Sequence, residues 1–166
     1  NDDQQLFGQH DIQWINEGRL GAGDLIVFNN GVRRSTSYSS VDVISPPLVN
    51  GEYVLQSGSP WAPAAPSWSW DQGTNISASS LGGVERLENG NTLVTWGVRG
   101  TFIEVNPEGE VVWKYINPVI DTGPLNQGDD IPENQNGKSN KNKVFKTNRY
   151  NSSFPAFAGK DMTPGD

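Results

Sequence analysis

The stretch GGVERLENGNTLVTWGVRGTFIEVNPEGEVVWKYINPV, residues 82–119, decides the fold because it carries two hairpin signals in succession. Gly83-Val84-Glu85-Arg86-Leu87 runs into an Asn-Gly turn and resumes in Thr92-Leu93-Val94-Thr95. Strand-like runs on both sides of Asn-Gly mark two antiparallel strands, the glycine supplying the positive φ that a tight turn demands. Phe102-Ile103-Glu104-Val105 then turns through Asn106-Pro107-Glu108-Gly109 into Glu110-Val111-Val112-Trp113, a second hairpin. The unit therefore has four short strands and ends on an aromatic outer strand, Val112-Trp113-Lys114-Tyr115.

Upstream, the same order occurs once more. Asp11-Ile12-Gln13-Trp14-Ile15 precedes Gly23-Asp24-Leu25-Ile26-Val27-Phe28, and Ser40-Val41-Asp42-Val43-Ile44 turns through Pro46-Pro47 into Gly51-Glu52-Tyr53-Val54-Leu55. Matching strands draw closer together along the unit because the first copy carries longer connections, Asn16 to Ala22 and Leu48-Val49-Asn50. Four antiparallel strands per repeat predict an all-β fold and a partial β-propeller built of four-stranded blades; an irregular β-sandwich is the alternative. Ser57 to Ser77, with Trp61, Trp68 and Trp70 among Pro60, Pro63 and Pro66, reads as an excursion between blades whose tryptophans pack. Residues 121–142 read as a polar surface loop, and Lys143-Val144-Phe145-Lys146-Thr147 as one more, closing strand before the tail.

Composition agrees with an all-β chain. Of 166 residues, 34% are hydrophobic and 19% charged, enough apolar material for a core, while 19 Gly and 11 Pro favour turns over helices. The net charge of −7 argues against a nucleic-acid partner, which needs a basic stripe. Without cysteine there is neither a disulfide framework nor a thiolate metal site, and no apolar run approaches the length of a membrane span. Neither an initiator methionine nor a signal peptide precedes Asn1, so the expectation is that the start was processed or lies upstream. About two and a half blades fall short of the four to eight with which propellers close. An open arc would expose sheet edges and inner faces, which predicts a completing segment: the N-terminal half of the same gene product, or another chain.

Read in order, GQHDIQW, GDLIVFNNG, YSSVDVISPP, then residues 82–119, then NKVFKTNRYNSSFPAFAGKDMTPGD, the chain resembles the C-terminal half of proteins of the arylsulfotransferase family. The resemblance covers nearly the whole chain. It implies a six-bladed propeller of a secreted or periplasmic enzyme that moves a sulfuryl group from an aryl sulfate to a phenol, without nucleotide or metal cofactor.

That chemistry calls for an uncharged imidazole as nucleophile, fixed donors around the sulfuryl oxygens, and a proton for the leaving phenolate. The chain has one histidine, His10, in the sequence QHD, and by resemblance it matches a family active-site histidine near the propeller axis; a satisfied structural histidine is the alternative. Asp11 either orients the ring or begins the strand. Arg33 and Arg34 fall where the family places a sulfate-gripping arginine, whose planar fork suits a tetrahedral oxyanion; the alternative is a solvated loop pair. Asn30 and Tyr38 are candidate supporting donors, and Arg99 holds the corresponding place one blade on. The sequence departs from the family at Ser77-Ala78-Ser79-Ser80-Leu81-Gly82-Gly83, where a further, sulfuryl-carrying histidine is expected and none stands. Ser79 or Ser80 would be a different nucleophile, with no base evident beside it.

The acidic stretch Asp121 to Lys143 is polar enough for calcium but has no EF-hand spacing, and reads as a surface loop. Asn75-Ile76-Ser77 and Asn151-Ser152-Ser153 are glycosylation sequons. Two functions follow from different classes: a sulfuryl transferase acting through His10 and an arginine of the 33/34 pair, or a non-catalytic propeller that binds a small anion, a glycan or another protein. The missing histidine favours the second, and the QHD motif with its arginine pair favours the first.

Overall fold

The computed structural model describes residues 3–54, 58, 63–137 and 139–163. Its first sheet is built from β1 (His10–Trp14), β2 (Leu25–Asn29) and β3 (Ser40–Ile44); a small hairpin of β4 (Leu48–Val49) and β5 (Glu52–Tyr53) intervenes before β6 (Trp68–Asp71) completes it. The second sheet follows as β7 (Gly83–Arg86), β8 (Thr92–Trp96), β9 (Thr101–Val105) and β10 (Val111–Ile116). Both sheets are antiparallel throughout, in the orders β1-β2-β3-β6 and β7-β8-β9-β10. Beyond them lie a two-stranded hairpin of β11 (Val119–Ile120) and β12 (Gly123–Pro124) and, among the described residues, no helix longer than a single 3-10 turn. No helix is long and apolar enough to cross a membrane among those residues.

Local chemistry accounts for the turns. Asn106 accepts the Glu110 N–H on its side chain at 2.7 Å and the Gly109 N–H on its carbonyl at 3.0 Å, and Gly109 takes φ +90°. An asparagine that folds back on its own backbone and a glycine in the left-handed region together close the β9–β10 hairpin.

Ile26, Phe28, Val41, Val43 and Trp70 from one face of the first sheet meet Val84, Val94, Ile103 and Val105 of the second, forming one buried cluster. Burial of each such side chain stabilises the fold by roughly 1.5–3 kcal/mol. Trp68 and Trp70 donate their indole N–H groups to Pro107 O (3.0 Å) and Gly109 O (3.1 Å), so the β9–β10 turn is seated on the outer strand of the first sheet.

Two expectations are corrected. Gly51 to Val54 does not supply the fourth strand, and Leu55 lies outside the described residues. Asn50 (φ +52°) and Gly51 (φ +85°) form a tight turn that pairs β4 only with β5, while the free edge of β3 is taken by Trp68–Asp71, whose alternate tryptophans reach the core. Residues around Trp68 and Trp70 thus belong to the first four-stranded sheet rather than to a connection; Trp61 and Pro60 lie outside the described residues. Lys143–Thr147 enters no ladder either. It crosses the outer face of the second sheet as a strap, because Thr95 offers its hydroxyl to the Thr147 N–H (3.1 Å) and Gly97 its carbonyl to the Val144 N–H (2.9 Å).

This strap has its own docking surface. A Cβ on Gly97 would stand 2.4 Å from Val144 O, and one on Gly100 2.2 Å from Asn142 O, so the two glycines of WGVRG are what let the strap approach. On the far side of the molecule Gln5 and Phe7 cover the first sheet, the Asn29 side chain bonding both their backbones. The outer face of each sheet is thereby partly covered by the chain's own segments. Exposed large apolar side chains concentrate instead on β10 (Val111, Val112, Trp113, Tyr115, Ile116), on β1 (Ile12, Trp14) and on the β4–β5 hairpin.

Candidate functional site

His10 opens β1 opposite Phe28, at the end of the first sheet where β2 gives way to the 30–39 loop. Its Nδ1 lies 2.7 Å from Asn30 Oδ1 and 3.2 Å from Gly8 O. Asn30 is buried, at 2% exposure, and its Nδ2 donates to Ala78 O (3.1 Å) and Leu81 O (2.7 Å). Because both amide hydrogens go to carbonyls, Oδ1 is the atom that faces the ring, and the proton between Oδ1 and Nδ1 belongs to the histidine. In the neutral ring the lone pair then sits on Nε2.

The loop that holds Asn30 is Ala78–Gly82, inside the stretch where the resemblance expects a second histidine. Leu81 is left-handed at φ +59°, a conformation that costs a non-glycine residue about 1 kcal/mol or more, and Gly82 follows at φ +109°. A side chain at Gly82 would collide with the Phe28 ring at 2.4 Å. Ser39 ties the loop down, accepting from the Ala78 N–H and donating to Asn30 O, both at 2.9 Å. Ser79 and Ser80 are exposed on this loop, and neither hydrogen-bonds to the His10 ring.

Asp11 makes no hydrogen bond to the ring. It takes φ +54° in a bulge where the β1–β2 register shifts, and its carboxylate points to the second sheet, accepting from Val84 N–H (2.8 Å) and from Lys146 Nζ of the strap (2.6 Å). Gln13 donates to the Val84 carbonyl, so two side chains of β1 satisfy both backbone groups of one residue of β7. They bridge the first strands of the two sheets, β1 and β7.

The arginines separate. Arg34 is committed within its own loop: it donates to Tyr38 O (3.1 Å) and Ser40 Oγ (3.0 Å), and its guanidinium lies over the Tyr38 ring (4.2 Å to the centroid) and the Phe7 ring (5.5 Å). Tyr38 serves this loop with its carbonyl and its ring. The loop doubles back so tightly that a Cβ on Gly31 would stand 1.8 Å from Tyr38 O. A cavity of about 230 Å³ opens beside Arg34 and Tyr38, lined also by Ser40, Asp42, Ser69 and Gln5. Arg33, by contrast, is exposed at φ +74°, and its guanidinium has no partner among the described residues. Arg99 lies elsewhere, donating to Glu133 (2.8 Å) and Asn140 (2.5 Å), where it fixes the polar 133–140 loop.

Among the described residues no group of three or more metal-ligating side chains comes together, the 121–142 loop included. On the strap side, the buried Glu104 gathers Asn89 (3.1 Å), Asn91 (2.7 Å) and Arg149. Burial pushes its carboxyl up, but the asparagine hydrogen bonds and the Arg149 charge outweigh that and hold it below the usual range. The structure thus brings together His10, Asn30 and the Ala78–Leu81 loop as one polar cluster and leaves Arg34, Tyr38 and Arg99 in others.

Compared with models of protein families, with curated proteins and with solved structures, the chain matches none.

Proposed function

We propose that the two sheets are consecutive blades of a propeller in a secreted or periplasmic protein, and that His10 is the nucleophile of an arylsulfotransferase-like sulfuryl transfer. The propeller reading is supported by how the rows repeat. Ile26-Val43-Trp68 and Phe28-Val41-Trp70 lie on the face that the first sheet turns to the second; Leu93-Glu104-Trp113 and Thr95-Phe102-Tyr115 are the corresponding rows, on the second sheet's outer face. Each sheet thus turns the same face forward, as successive blades do, whereas the sheets of a sandwich turn matching faces toward each other. A following blade, from another segment or chain, would meet the exposed Trp113 and Tyr115 as the β9–β10 turn meets Trp68 and Trp70.

The observation that carries the catalytic reading is the 2.7 Å pairing of His10 Nδ1 with a buried amide whose orientation is fixed by two carbonyls. It leaves Nε2 as the ring atom able to attack. In the transfer, the Nε2 lone pair bonds to the sulfur of an aryl sulfate as the S–O bond to the aryl oxygen breaks, and the phenolate leaves and takes a proton from solvent. The positive charge on the ring is stabilised by Asn30 Oδ1, which accepts the Nδ1 hydrogen. A phenol then attacks the sulfur and loses its proton to solvent while the N–S bond electrons return to Nε2. Of the two loop arginines, Arg33 has its fork free to grip the sulfuryl oxygens.

A second reading, a binding or structural propeller, draws on the commitment of Arg34 to its own loop and on the absence of histidine in residues 77–83. Turnover of a chromogenic aryl sulfate with a phenol acceptor separates the two. The transferase reading expects release by the chain and none by His10→Ala; equal behaviour of the two proteins favours the binding reading.

A further inference from the structure

We infer that Lys146, on the C-terminal strap, is a positioning residue for His10, acting through Asp11; the catalytic part of this inference rests on the reading above. The residue after His10 is held in the left-handed region at φ +54°, in a bulge where β1 loses register with β2. An aspartate tolerates that conformation better than most residues, but it does not hold it unaided. What holds it is a clamp on both carboxylate oxygens: one accepts the Val84 N–H at 2.8 Å and, more loosely, Gln13 Nε2 at 3.5 Å, and the other accepts Lys146 Nζ at 2.6 Å.

The clamp sits in a purpose-shaped gap. A Cβ at Gly83 would come within 2.8 Å of the Asp11 carboxylate and 3.3 Å of Lys146 Cγ, so the absence of a side chain there is what lets strap and bulge meet. Both partners are largely shielded, with side-chain exposures of 28% for Lys146 and 13% for Asp11, so the pair is more than a solvated surface contact. The strap, for its part, is anchored on both sides of Lys146 by Val144 N–H to Gly97 O and Thr147 N–H to Thr95 Oγ1. Lys146 therefore connects a docked segment, through one carboxylate, to the backbone that presents His10. Releasing it frees the bulge and lets the ring drift from Asn30, and small misplacements of a reacting group cost up to about a hundredfold in rate.

The test uses the chain's single histidine, whose ring nitrogens give unambiguous ¹⁵N signals. In the full chain, Lys146→Met is expected to shift the His10 ring signals away from the Nδ1–H form and to speed amide exchange at His10 to Ile12 roughly tenfold. Turnover falls about 10- to 100-fold with KM little changed. Asp11→Asn gives the same pattern, adding it to Lys146→Met brings no further change, and Lys146→Arg restores the wild-type spectrum. Arg149→Met, which loosens the strap away from Asp11, leaves the His10 signals in place. Unchanged His10 signals in Lys146→Met, or an equal disturbance by Arg149→Met, overturns the inference. The spectral result stands apart from the reaction: if wild-type protein turns over no aryl sulfate, the transferase reading fails while the clamp is still judged by the ring signals.

Discussion

Replacing Asn30 by alanine removes the side chain on which the His10 geometry depends, and its cost follows from the contacts. Three hydrogen bonds disappear, to His10 Nδ1, Ala78 O and Leu81 O. At about 1 kcal/mol each, with two loop carbonyls left without a donor, the expected loss is roughly 3–4 kcal/mol. For a chain of this size that lowers Tm by about 6–16 °C. Asn30→Asp discriminates further, because it keeps an acceptor for His10 but sets a carboxylate against the Ala78 and Leu81 carbonyls. The first variant should convert the His10 ring from the Nδ1–H form to a mixture of tautomers, whereas the second keeps Nδ1–H and loosens residues 78–82. Urea unfolding and ¹⁵N spectra of the ring read both effects. A loss below about 1 kcal/mol for Asn30→Ala, with the ring still in the Nδ1–H form, would refute the reasoning that this amide orients His10.

Gly100→Ala should cost roughly 1–3 kcal/mol and open the strap to proteolysis within residues 139–150, since its Cβ meets Asn142 O at 2.2 Å and its φ is +54°; an unchanged cleavage pattern would count against the docking. Glu104, held below its ordinary value of 4.5, contributes stability that is full above that value and is lost as pH falls through the lowered one. Wild-type protein should therefore lose stability on acidification below about pH 4.5 more steeply than Glu104→Gln, as measured by urea midpoints across that range; parallel curves would contradict it.

The strands were legible where sequence and turn chemistry coincide. Residues 83–116 needed nothing beyond alternation, Asn-Gly and Asn-Pro-Glu-Gly, because all four strands are joined by short local turns. In the first sheet the fourth strand stands far along the chain from the third, and the nearer β5 drew the reading; the signal that identifies β6 is Trp68-x-Trp70, matching Trp113-x-Tyr115. Lys143–Thr147 has strand-like residues, but its place was set by two glycines and a threonine on another element, which no local pattern reports. At the site, His10 and Asn30 were both visible as candidates. Their pairing was not, since it depends on a loop whose contribution is backbone carbonyls, and carbonyls leave no trace in residue identity. Asp11 shows the converse: its neighbour in sequence is His10, while its partners are Val84 and Lys146.

The most direct test of the account is to incubate the chain with an aryl sulfate in the absence of acceptor and map the modified peptide by mass spectrometry. The account predicts that the peptide bearing His10 gains the mass of one sulfuryl group, loses it on addition of a phenol, and gains nothing in His10→Ala. Phenolate release without label on His10, or no release and no label at all, would contradict it.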